Sequence, residues 1–148
     1  MIARLATPDD FPEVMRLLRK FHVENGMAPL DPDRVAAAVS EMGADKALWV
    51  AQRGEALVGL LGIAENPIWY AAAQYRQLVD RFLYVEEGHR SSGVGRSLTS
   101  LATAEAERRG LPLFITVLNP TRAAKRARQK TLWGFLPVGW LTQLTRRD

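Results

Sequence analysis

The sequence predicts a mixed-sheet α/β or α+β domain, mostly antiparallel, with helices on both faces of the sheet. The order of its apolar periodicities, β α α β β β α β α β, joins an antiparallel middle to a late βαβ unit. The run LVGLLGIA at 57–64 is apolar almost without a break, as expected of a strand covered on both faces. At 148 residues, 47% hydrophobic and 24% charged, the chain can bury one sizeable core, and 1–148 reads as a single domain.

Each element carries its own signal. Residues 2–6 form a short apolar strand. Thr7, Pro8, Asp9 and Asp10 make a capping sequence, and Phe11, Val14, Met15, Leu18 and Phe21 follow at helical spacing until Asn25 and Gly26 end the helix. A second helix starts after Asp31 and Pro32, turns Val35, Ala38, Val39 and Met42 inward, and stops at Gly43. Residues 47–52 and 56–64 are strands joined by a hairpin turn at Gly54, and Asn66-Pro67 breaks the second. An aromatic-rich segment, 68–76, leads into a strand at 77–85 whose alternation places Asp80, Phe82 and Tyr84 on one face. Residues 93–109 form a helix with Val94, Leu98, Leu101 and Ala102 facing inward, closed by Gly110. A strand at 112–118, a basic helix at 120–132 and a last strand at 135–144, whose Pro137 suits an edge, complete the order.

Composition narrows the chemistry. Without cysteine there is no disulfide framework, thiolate nucleophile or Cys-ligated zinc, and two histidines are too few for most all-His metal sites, so no metal is expected. The longest apolar run, 56–64, falls well short of the roughly 20 residues a bilayer span needs, and MIARLATPDD has no apolar signal core. A cytoplasmic protein that does not enter membranes is the expectation. The net charge of +4 is local in origin: the last 29 residues hold seven basic side chains and one acidic, whereas 1–119 hold 13 basic and 15 acidic. That basic stretch is either a solvated helix face or a seat for an anionic ligand, a nucleic acid or an acidic partner.

The most informative stretch is LYVEEGHRSSGVGRS at 83–97, where a strand ends and a glycine-containing loop opens directly into a helix. Gly93 and Gly95 allow close approach of the backbone, and the free N–H groups at the helix start favour an anion such as a phosphate or pyrophosphate. Arg90 and Arg96 add positive charge, while Ser91, Ser92 and Ser97 either donate to the anion or cap the helix. The dinucleotide fingerprint G-x-G-x-x-G fits poorly, because Leu98 stands where the third glycine belongs, and no Gly-Lys-Ser/Thr follows to make a P-loop.

Arg90-Ser91-Ser92-Gly93-Val94-Gly95 resembles the central motif of the GNAT superfamily of N-acetyltransferases: Arg or Gln, two residues, Gly, one residue, Gly or Ala. The preceding YVEEGHR, the later Asn119, and Gly134-Phe135-Leu136-Pro137-Val138-Gly139 are similar to further family patterns, so the resemblance spans nearly the whole chain. It implies a GNAT-like sheet with central splayed strands and acetyl-CoA lying in the splay between 77–85 and 112–118. Backbone at Leu83, Tyr84 and Val85 would pair with pantetheine, and the amides of Arg90, Ser91, Ser92, Gly93, Val94, Gly95 and Arg96 would hold the pyrophosphate. Asn119 and the basic helix would flank the cofactor's other side, where Arg122, Lys125, Arg126, Gln129 and Lys130 share one helical side and one or two of them, Arg126 among the candidates, would reach the CoA phosphates.

The resemblance further implies direct transfer of an acetyl group to a primary amine of a small molecule or peptide. Asp80 is the carboxylate best placed as base, since Glu86 and Glu87 sit near the phosphate end and His89 reads as a loop residue. A backbone N–H near 83–85 would suffice for the oxyanion. Where the family commonly has a tyrosine acid, four positions before the Gly-Phe pair, this chain has Lys130, with Tyr84 as the fallback acid on the Asp80 face. His22, Glu24, Trp69, Tyr70 and Tyr75 are candidates to line the acceptor site; His22 reads as a base or, as a lone histidine one turn beyond Leu18 more often is, as a partly buried helix residue, and Trp69 and Tyr70 read equally as core or a homodimer interface. Two rival readings are a CoA-binding sensor or interaction module with little activity, and a nucleic-acid-binding protein using 122–130. No aromatic residue interleaves those charges, which argues against the second.

Overall fold

Five strands form one sheet in the order β1 (Ile2–Leu5), β2 (Leu48–Arg53), β3 (Ala56–Pro67), β4 (Arg76–Val85) and β5 (Leu113–Phe114). The neighbours are antiparallel except for β4 and β5, which are parallel, as a βαβ unit requires. The computed structural model describes residues 1–26, 28–116 and 134–135. Contacts divide the chain after Ile115. The sheet and its helices belong to the first unit, 1–115; of the second unit only Thr116, Gly134 and Phe135 are described. The expected basic helix and, Phe135 aside, the last expected strand lie outside the described residues.

Three helices cover the sheet: α1 (Phe11–Asn25), α2 (Pro32–Ala44) and α3 (Val94–Arg109). α1 and α2 pack Val14, Leu17, Leu18, Val39 and Met42 on one face, against Val50, Leu60, Phe82 and Tyr84. α3 packs Val94, Leu98, Ala102 and Ala106 on the other, against Leu61, Ile63 and Leu78. β3 thus feeds alternate leucines to two cores, which is why its sequence is apolar without a break. Asp31 caps α2 by accepting from the N–H groups of Asp33 and Arg34 at 3.1 and 3.2 Å. Among the described residues no helix is long and apolar enough to cross a membrane.

Two sequence expectations change. Asn66 and Pro67 do not break β3: they pair with Gln77 and Arg76, and the chain turns only beyond them, where the Ile68 N–H donates to the Tyr75 carbonyl at 3.0 Å. The larger change concerns Asp80, which does not share a face with Phe82 and Tyr84. Gly62 pairs with Phe82 but Ile63 pairs with Asp80, so a β-bulge inserts Arg81 as an extra residue. An extra residue reverses the alternation. Asp80 therefore lies in phase with Leu78 and Ile63 on the α3 face, while Phe82 and Tyr84 belong to the α1 and α2 face.

Gly59 fixes how closely α3 meets the sheet. A Cβ at this position would come within 2.8 Å of Val94, closer than side chains tolerate, and within 3.2 Å of Leu98. The absent side chain lets the first turn of α3 rest on β3.

Candidate functional site

β4 and β5 form a fork. They pair only at Leu78 with Leu113 and Val79 with Phe114, and the Leu78 N–H donates to the Pro112 carbonyl at 2.8 Å. Beyond Val79, among the described residues, the β5 side of β4 has no strand against it. In a strand the side-chain face and the direction of the residue's own N–H and C=O alternate together. After the bulge the odd residues Leu83 and Val85 pack on the α3 face, so their peptide groups point into the open side of the fork. Two hydrogen bonds agree with this: Glu86 N–H turns back to the Val58 carbonyl on β3, whereas the Val85 carbonyl accepts from Arg90 Nε at 2.9 Å.

The chain between β4 and α3 is built to expose amides. A short 3₁₀ turn at Glu87–His89 ends in Arg90, whose N–H is used by the Glu87 carbonyl at 3.2 Å. Ser91 (φ 67°) and Gly93 (φ 85°) are both left-handed, a backbone alternation that gathers successive N–H groups into a concave surface. The Ser92 hydroxyl closes the turn by donating to the His89 carbonyl at 2.5 Å. The first bond of α3 runs from the Ser97 N–H to the Gly93 carbonyl at 3.0 Å. Among the described residues the amides of Ser91, Ser92, Gly93, Val94, Gly95 and Arg96 have no backbone acceptor, and they crowd the positive end of a helix of 16 residues.

Arg90 is placed differently from its expected role. Its guanidinium donates to both oxygens of Glu24 at 2.8 and 2.6 Å and lies over the Tyr84 ring, 5.6 Å from the centroid. The Tyr84 hydroxyl donates to the same Glu24 carboxylate at 3.0 Å. Burial, reinforced by that hydrogen bond, pushes the Tyr84 phenol up to about 12. Tyr84 thus keeps its proton and supports Arg90. A second tie fastens α1 to the end of β4: Glu86 pairs with Arg16 at 3.0 Å and with Lys20, which hold its carboxyl below the usual carboxylate range.

Glu24 therefore joins the end of α1 to the strand and loop of the site. Glu24→Gln is expected to move the Tyr84 pKa down but to leave it above 10, because burial is the larger cause, and to weaken the hold on Arg90. A phenolate absorbance titration of the variant checks this; an unmoved titration would contradict the network.

Asp80 lies at the fork, buried to 8% exposure. Asn119, Arg126 and Lys130 lie outside the described residues. His22 Nε2 is 2.6 Å from the Ala28 carbonyl, tying it to the chain beyond α1. Trp69, Tyr70 and Tyr75 stand exposed at the β3–β4 turn, which excludes the core reading for Trp69 and Tyr70.

The family model described as "Acetyltransferase (GNAT) family" matches residues 11–132. No curated protein matches the chain. Among solved structures, a transcriptional regulator from Bacillus halodurans C-125 aligns over 97% of this chain and 98% of its own, with TM-score 0.73 and 23% identity. An aminoglycoside antibiotic 6'-N-acetyltransferase from Acinetobacter haemolyticus aligns over 100% and 99%, with TM-score 0.73 and 14% identity. An acetyltransferase with acetyl-CoA from Clostridium acetobutylicum aligns over 97% and 95%, with TM-score 0.69 and 16% identity. At these identities the likeness establishes the fold.

Proposed function

The chain belongs to the GNAT acetyltransferase family, and on that premise we propose that it is an N-acetyltransferase moving an acetyl group from acetyl-CoA to a primary amine by direct transfer. The observation that carries the reading is the continuity of the β4 edge with the amide row. An extended chain in the fork meets the peptide groups of Leu83 and Val85, and its anionic end meets the N–H groups of 91–96. We place the whole of 1–148 in one such domain, a reading supported by the family match, which runs across the division at Ile115.

In this reading acetyl-CoA supplies an acyl thioester, a carbonyl already activated toward an amine. The chain does the rest. Leu83 and Val85 align the pantetheine arm, and a backbone N–H on the same edge stabilises the carbonyl oxygen as it gains charge. Six amides seat the pyrophosphate, with Arg96 exposed beside them and Arg90 holding the loop through Glu24. Asp80 takes the proton released by the amine. Turned to the α3 face by the bulge, it acts through a water. Lys130 and Arg126 are proposed to face the thiolate and the CoA phosphates, and Asn119 to flank the cofactor.

Calorimetric titration with acetyl-CoA, with NADH and a short DNA duplex as controls, tests the reading. Micromolar binding of acetyl-CoA alone is expected. Absence of acetyl-CoA and CoA binding would overturn it, and DNA binding that falls steeply with salt would favour the basic stretch as a nucleic-acid seat.

A further inference from the structure

A pocket of about 540 Å³ opens on the α2 side of the sheet, between α2, the end of β3 and the start of β4. Its size suits a small-molecule ligand. Six of the twelve residues that line it are charged, three arginines and three carboxylates, and three of the six are engaged, in part by Arg109 from outside the pocket. Arg76 binds Glu65 at 2.6 Å, and Arg109 reaches Asp45 at 3.0 Å and Glu65 at 3.5 Å. Among the described residues no ion pair engages Arg34, Arg81 or Glu41, which line the same pocket. The pocket therefore offers two uncommitted guanidinium groups and one uncommitted carboxylate.

Arg81 connects this pocket to the proposed chemistry. It is the extra residue of the β-bulge, and it lines the pocket next to Asp80, where β5 has just parted from β4. In phase with Val79 and opposite in face to Asp80, position 81 looks to the α2 side, and the bulge keeps Phe82 on that side as well. A guanidinium thus stands at the mouth of the fork, on the side away from α3.

We propose that this pocket receives the acceptor, and that the acceptor is a carboxylated amine, such as a free amino acid, whose carboxylate is held by Arg81 and Arg34. The inference rests on the acetyltransferase reading. Planar guanidinium groups match a carboxylate with two parallel hydrogen bonds. A polycationic amine without a carboxylate would leave both guanidinium groups without a partner and be disfavoured. In the transfer the amine nitrogen forms a bond to the acyl carbon and the carbon–sulfur bond breaks. The sulfur keeps the electron pair and the amine releases a proton, giving an amide and CoA.

The test measures CoA release from acetyl-CoA with free amino acids, their C-terminal amides and spermidine, for the wild type, Arg81→Gln and Arg81→Lys. At least one free acid is expected to exceed its amide in kcat/KM by about tenfold or more, the effect of losing a hydrogen bond to a charged group. Arg81→Gln is expected to abolish that preference and Arg81→Lys to keep part of it, with acetyl-CoA affinity unchanged in both. Amides or spermidine used as well as the acids, a preference that survives Arg81→Gln, or no acid consumed by protein that binds acetyl-CoA would overturn this inference alone. Failure to bind acetyl-CoA, measured calorimetrically on the same preparation, would overturn the reading beneath it.

Discussion

Gly93→Val is expected to weaken acetyl-CoA binding by about 100-fold or more, the worth of about two charge-assisted hydrogen bonds. Gly93 sits at φ 85° and ψ −5°, where a residue with a Cβ pays about 1–2 kcal/mol and a β-branched one more. Among the described residues no atom beyond the chain neighbours lies within 4 Å of a Cβ built there, so the cost of the substitution lies in the backbone. The strain is relieved by rotating the backbone, and that rotation turns away the amides of Val94, Gly95 and Arg96. Since Gly93 is exposed, the melting temperature should change by only a few degrees, on the order of 1–2 kcal/mol. Calorimetry beside a thermal melt separates the two effects: unchanged affinity would place the pyrophosphate elsewhere.

Asp80→Asn is expected to lower kcat by about 100-fold, the low end for loss of a general base, as suits a proton passed through water. The change keeps size and shape at a site only 8% exposed, and the β4 edge at 83–85 is untouched, so acetyl-CoA affinity should stay within about twofold. Loss of affinity with kcat preserved would instead make Asp80 a structural residue of the fork.

What could be read from the sequence follows how local its causes are. The strand, loop and helix of the site were legible because 83–97 carries its own instructions: glycine where φ must be positive, and a turn that opens straight into a helix. The two-sided cover of β3 was legible from its unbroken apolar run. The bulge was not. Leu78, Asp80, Phe82 and Tyr84 fit an unbroken period of two, and the extra residue at 81 is set by the register against Gly62 and Ile63 on β3. The role of Arg90 was hidden for a similar reason. Its motif position suggests an anion contact, whereas its partner, Glu24, lies at the end of α1, and nothing local brings the two together.

The central claim is that one continuous surface, the β4 edge and the amides before α3, holds the cofactor. Backbone amide shifts in a ¹H–¹⁵N correlation spectrum, followed as acetyl-CoA is added, report on that surface residue by residue. The account predicts the largest changes at Ser91, Ser92, Gly93, Val94, Gly95 and Arg96, with a second group at Leu83, Tyr84 and Val85. Saturable binding that leaves both groups unmoved would contradict it.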